Sequence, residues 1–167
     1  NLYFVSSTTK VLTEFEQLRK EINREEFGYV VPDFRLNKAL DKWKTLSEEQ
    51  KDKVELLCNE CCWCGCRDRK ICYEAVSRKN LGKSEAEHHC SAPNAGEGYR
   101  FSKAMTNPGF IGLEDIRNVY MSMGFSNFKI EGRGLGSALV LEFLLYYMTK
   151  PEYQIHVREA IYLDNML

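Results

Sequence analysis

No stretch of this 167-residue chain is long and apolar enough to cross a bilayer. The longest candidate runs from Ala138 to Met148 and is interrupted by Glu142. Charge of one sign is lacking too: 23 Lys and Arg stand against 24 Asp and Glu, for a net charge of −1. That balance argues against nucleic acid or an anionic membrane as the default partner. The chain opens on no charged-then-apolar signal segment, so a reducing, cytoplasmic compartment is expected. Hydrophobic residues at 44% and charged residues at 28% are ordinary for a soluble globular domain with a sizeable core.

Against these absences stands one local excess. Six of seven cysteines lie in the fifteen residues from Cys58 to Cys72, and the seventh, Cys90, follows His88-His89. Clustered thiols in a chain without a secretory signal, and an odd number of them, point to metal or redox work rather than disulfides. Zinc and iron–sulfur clusters are the groups that thiolates hold best.

The opening Asn1-Leu-Tyr-Phe4 reads as the remnant of an engineered protease-recognition site and is set aside, leaving residues 5–167 as a single domain. Val5–Ser7 is the end of a first strand, and Thr8 or Thr9 caps a helix that buries Val11, Leu12, Phe15, Leu18 and Ile22. Gly28 ends that pattern. Tyr29–Val31 is a second strand, stopped by Pro32. A helix follows with Leu40, Trp43 and Leu46 inward, and Ser47-Glu-Glu-Gln50 is a capping box. Val54–Leu57 is the third strand, with a helix from Asp68 to Arg78 after the cysteines. Residues 80–108 read as one long loop. Leu113–Met123 is a helix closing on Gly124, and Asn127–Ile130 is the fourth strand. Ser137–Thr149 is an apolar helix. Pro151 opens the last helix, which buries Tyr153, Val157, Ala160 and Ile161. Strands alternating with helices imply an α/β fold of parallel (β/α) units, about half of a TIM-like barrel.

The carboxyl ends of parallel strands form one face, and that face carries the active site in such folds. Here it would carry Asp33, Arg35 and Asn37, then Asn59, Glu60, Cys61 and Cys62, then Glu131 and Arg133. Helix capping accounts for the Ser and Thr residues after the first strand but not for Arg35, Glu60 and Arg133. Glu60, Glu131, Arg133 and Arg35 are therefore the candidate catalytic residues.

Among the thiols, Cys62-x3-Cys66 brings two sulfurs to one site, and Cys90 returns from the long loop. The fourth ligand is Cys72, Cys61 or a residue of a missing upstream part. Cys58 continues a buried strand and reads as a core thiol. His88 and His89 read as solvated loop residues, and His156 as structural. Gly132-x-Gly134-x-Gly136 fits no nucleotide fingerprint and reads as a tight turn.

Three segments carry a resemblance: Val54-Glu-Leu-Leu-Cys-Asn-Glu60 before the cysteines, Phe110-Ile-Gly-Leu-Glu-Asp-Ile116, and Gly124-Phe-Ser-Asn-Phe-Lys-Ile-Glu-Gly-Arg133. Together they resemble the collagenase-like peptidase family of unknown catalytic type, over roughly residues 54–160. The resemblance implies a TIM-like barrel and a [4Fe–4S] cluster, held here by Cys62, Cys66 and Cys90, with Cys72 as a further candidate. It also implies that Glu131 and Arg133 line the site of a hydroxylation-type enzyme.

The leading expectation is thus a metal- or iron–sulfur-binding enzyme, or part of one, acting on a small anionic substrate. A structural zinc or interaction module is the alternative, and a peptidase comes last. Two open sheet edges in a half-barrel would demand either a homodimer or a missing half.

Overall fold

The computed structural model describes residues 4–83, 88–93, 95–132 and 136–164. Strands β1 (Phe4–Ser6) and β2 (Phe27–Val30) pair in parallel, as do β3 (Glu55–Leu57) and β4 (Asn127–Lys129). A single parallel bridge, Val30 to Val54, joins the two sheets, and the Val30 amide donates to the Lys53 carbonyl at 2.7 Å. The fold is α/β, with helices or turns between all successive strands. β1 starts at Phe4, inside the four residues expected to be a tag remnant. No helix among the described residues is long and apolar enough to cross a membrane.

The first helix, α1, covers Phe15–Ile22 rather than starting at Val11. Ser7 caps only a short 3-10 turn at Thr8–Lys10, which Val11 closes with φ of +51°. A β-branched residue in the left-handed region cannot continue a helix. Phe15, Leu18 and Ile22 are buried at helical spacing, whereas Val11 and Leu12 are only partly covered. Gly28 lies within β2, not at a break before it. Helix α2 (Leu40–Trp43) and helix α3 (Glu48–Asp52) follow. Both halves of the Ser47 capping box are made: the Gln50 amide donates to Ser47 Oγ, and the Ser47 amide to Gln50 Oε1.

The region 80–108 is not one loop. It holds a turn at Ala95–Glu97 and a helix, α5 (Phe101–Met105), after helix α4 (Arg69–Asn80). Its composition is loop-like, but Phe101 stacks on Phe143 at 4.7 Å and Ala104 is fully buried. Tertiary contact overrides weak local propensity there. One helical turn at Leu113–Asp115 (α6) continues as a π turn and a 3-10 turn to Met123, and Gly124 closes it with φ of +93°. The carboxyl-terminal helices are α7 (Ser137–Met148) and α8 (Gln154–Asp164). Tyr153 and Ala160 are exposed, and Val157 and Ile161 are half-buried, so the last helix lacks the inward face that its periodicity predicts.

The core gathers on Trp43, which is fully buried with Phe15 and Phe125 edge-on to it at 5.2 and 5.7 Å. Buried Asn37 laces this core to the strand ends. Its Nδ2 donates to the Leu57 and Gly109 carbonyls, and its own carbonyl accepts from Tyr120 Oη. Gly109 is obligatory at that junction, since a Cβ would sit 2.6 Å from the Phe34 carbonyl oxygen.

Candidate functional site

Just past the ends of β2, β3 and β4, buried Asp33, Glu60 and Arg69 and half-buried Arg35 and Tyr73 form one connected network. Asp33 is completely buried and grips Arg35, accepting from Nε at 2.6 Å and Nη2 at 3.1 Å. Arg69, the first residue of α4, is 2% exposed. Its Nη2 donates to Glu60 Oε2 and to Tyr73 Oη, both at 2.6 Å, and its Nε lies 3.5 Å from Asp33 Oδ2. Glu60 Oε1 accepts from the amides of Cys61 and Cys62. A single carboxylate thereby shapes the start of the cysteine loop and neutralises the arginine behind it.

Asn59 ties this network to β4. Its Nδ2 donates to the Glu131 carbonyl at 3.0 Å, while Oδ1 accepts from the Glu131 amide at 2.6 Å. Asn59 thereby continues the parallel ladder one residue beyond its backbone pairing, with a side chain in place of a strand. The Tyr99 hydroxyl closes the other side by donating to the Asn59 carbonyl.

Glu60, Glu131, Arg69 and Lys103 are the charged residues lining a cavity of about 270 Å³. Cys61, Cys62, Cys66, Cys72 and Cys90 line the same cavity, with Trp63, Tyr73 and Val76 among its apolar walls. Of the expected site residues, six therefore meet around one space: Glu60, Glu131, Cys62, Cys66, Cys72 and Cys90. Arg35 does not line the cavity. Its guanidinium is held by Asp33 and by the Cys66 carbonyl, to which Nη1 donates at 2.9 Å, so it positions the cysteine loop instead. Arg133 lies outside the described residues, as does the middle of the Gly132–Gly136 turn. Cys58 is a core thiol that donates to the Leu56 carbonyl. Cys64 points away from the cavity group toward Asn107 Oδ1, at 3.6 Å.

Several residues of this site carry no signal in the sequence. Arg69 sits in the charged run Arg67-Asp-Arg-Lys70, which reads as a solvated helix start, and only its burial against Glu60 and Asp33 marks it out. Tyr73 is one turn along the same helix. His88, read as a solvated loop residue, places Nε2 2.7 Å from Cys72 Sγ.

The network splits its two glutamates. Burial raises Glu60, but the Arg69 charge and the loop amides outweigh it and hold the carboxyl below its ordinary range. Burial and the neighbouring Glu60 carboxylate push Glu131 up to about 7. Two carboxyls with divergent environments are the usual basis of acid–base division of labour. Because the folded pKa of Glu131 exceeds its unfolded value, its contribution is present below about pH 4.5 and is lost as pH rises through 7. Glu131→Gln is therefore expected to match the parent at pH 5 and exceed it at pH 8 by on the order of 2–3 kcal/mol. Urea unfolding at the two pH values measures this; an equal difference at both would refute it.

The thiols are shifted in one direction. Burial pushes Cys58 and Cys61 up to about 12 and raises Cys62, Cys64 and Cys72, with the Glu60 carboxylate adding to the effect at Cys61 and Cys62. Among the described residues, no three Cys, His, Asp or Glu side chains converge closely enough to hold a metal ion as they stand. The donor set nonetheless suits a soft metal or cluster, since the thiols come from the cysteine loop, α4 and the segment at Cys90 and face one cavity. Compared with protein-family models, curated proteins and solved structures, the chain matches none.

Proposed function

We propose that the cavity is the active site of a metal- or iron–sulfur-dependent enzyme of redox or hydroxylation type. One observation carries this reading: thiols from three separate segments and a split pair of glutamates line the same cavity at the carboxyl ends of parallel strands. Cys62, Cys66, Cys72 and Cys90 would hold the group, which would supply electron transfer or Lewis acidity when bound. Arg69 and the amides of the cysteine loop hold Glu60 ionised. Glu131, poised near neutrality, gives or takes a proton at its carboxyl beside the substrate. The expectation of an anionic substrate depends on Arg133 and on what remains open of Arg69, because Arg35 is already paired with Asp33.

The sequential, parallel strand order supports the finer reading of about half a TIM-like barrel, related to the collagenase-like peptidases. Its open edges would then be covered by a second copy or by further barrel strands. A peptidase using a cysteine nucleophile is disfavoured by the upward shift of Cys61, Cys62 and Cys72, since a nucleophile needs its thiol pKa lowered.

Metal and sulfide analysis, with an absorption spectrum, on protein purified without oxygen tests the proposal. The expected result is iron and sulfide at about four per chain with a broad visible band. Serine at Cys62, Cys66, Cys72 or Cys90 should each lower the iron content, whereas Cys64→Ser should leave it unchanged. Zinc alone would put a structural or binding role ahead; a metal-free protein under those conditions would remove the cofactor from the proposal.

A further inference from the structure

One residue holds helix α4 and the segment around Cys90 together. The Asp68 carbonyl accepts from the Cys72 amide at 2.9 Å, and Asp68 Oδ2 accepts from Ser91 Oγ at 2.8 Å. The segment carrying His88, Cys90 and Ser91 is thereby tied beside the first turn of α4. Within that arrangement His88 Nε2 stands 2.7 Å from Cys72 Sγ. Cys72 lines the cavity, whereas His88 is exposed and meets the sulfur from outside it.

The direction of this hydrogen bond follows from the state of the sulfur. A free thiol can donate to an imidazole nitrogen, but a ligating thiolate has lost its proton and only accepts. Once Cys72 is a ligand, the hydrogen must therefore sit on His88 Nε2. Reduction of a metal group adds negative charge that its ligating sulfurs share. A donor held on one of those sulfurs favours the reduced state and raises the potential.

We propose that His88 sets the potential of the metal group by donating its Nε2 hydrogen to the sulfur of Cys72. The residue acts through Cys72 and is not itself a ligand. The inference rests on the reading of the cavity as a redox metal or iron–sulfur site and adds what adjusts that site. His89, its exposed neighbour, has no such role and serves as the control.

The test is a redox titration of the full chain, purified without oxygen and followed by its visible absorption, with iron and sulfide measured on the same samples. His88→Leu should keep the parent's iron and sulfide. Its reduction equilibrium should move about 10-fold toward the oxidised state, the effect of one hydrogen bond to a charged group. For a one-electron couple that is a potential about 59 mV lower. His88→Gln, which keeps an N–H donor, and His89→Leu should both stay close to the parent. An unchanged potential in His88→Leu at full iron content overturns the inference and leaves the proposed function standing. An equal shift in His89→Leu also overturns it, because the effect would then belong to the surface rather than to this hydrogen bond. Loss of iron in His88→Leu to the extent seen in Cys72→Ser would make His88 a ligand, which overturns it as well. A parent protein without iron and sulfide removes the redox reading and this inference together.

Discussion

Replacing Arg69 with methionine is expected to cost about 3–5 kcal/mol of folding stability, the range for removing one partner of a buried ion pair. The side chain is almost wholly enclosed, and it is the cation facing both Glu60 and Asp33. Methionine preserves most of the volume but leaves Glu60 buried among the Cys61 and Cys62 amides without its counter-charge. The guanidinium also lies over the Phe34 ring at 4.7 Å, and methionine cannot supply that cation–π attraction. Urea unfolding at neutral pH measures the loss. Adding Glu60→Gln to Arg69→Met should restore part of it, because the orphaned charge is then gone. A single-variant loss below about 1 kcal/mol would mean that water reaches this network, since exposed pairs contribute no more than that.

Trp43→Ala is expected to cost a similar amount, about 3–5 kcal/mol, through a different mechanism. The indole is fully buried between Phe15 and Phe125, and its Nε1 donates to the Leu36 and Asn37 carbonyls. Truncation leaves a cavity and removes one donor from the Asn37 carbonyl, which keeps only Tyr120 Oη. Trp43→Phe refills much of the space and should lose clearly less. The other tryptophan, Trp63, is about half exposed in the cysteine loop. Unfolding of the Trp43 variants is therefore followed by far-ultraviolet circular dichroism, because each of them removes the core's own fluorophore. If alanine at 43 shifted the urea midpoint no more than phenylalanine does, the core would not be centred on this ring.

The two variants separate the fold from the site. Trp43 joins α1 and α2 to the strands from behind, whereas Arg69 joins the strand ends to the cysteine loop. A cluster or metal bound by the thiols would stabilise the loop that Glu60 and Arg35 already hold in place. Arg69→Met should therefore lower metal occupancy as well as stability, and Trp43→Ala only stability.

Strand positions and most helix positions can be read from the chain because each depends on neighbours in sequence. Pro32 after Val31, the Ser47 capping box and Gly124 at a helix end act over a few residues and do so in the structure. Leu18, Ile22, Trp43 and Leu46 are buried at the spacing that their pattern predicts. Local pattern fails where distant residues decide. Phe101–Met105 is helical because Phe143, far along the chain, offers a surface to stack against. The last helix keeps its apolar periodicity yet has little opposite its apolar side among the described residues.

Local pattern sets the chemistry on offer: thiols concentrated in one run, and carboxylates and amides at the ends of β/α units. Local hydrogen bonding and side-chain periodicity are enough for that. Packing settles how the charges are shared. It turned Arg35 inward to Asp33 and Cys66, set Arg69 between Glu60 and Asp33, and drew Glu131 to Glu60 so that one carboxyl stays ionised and the other sits near neutrality. Burial and the distances between charges set those outcomes, and both are properties of packed segments far apart in the chain.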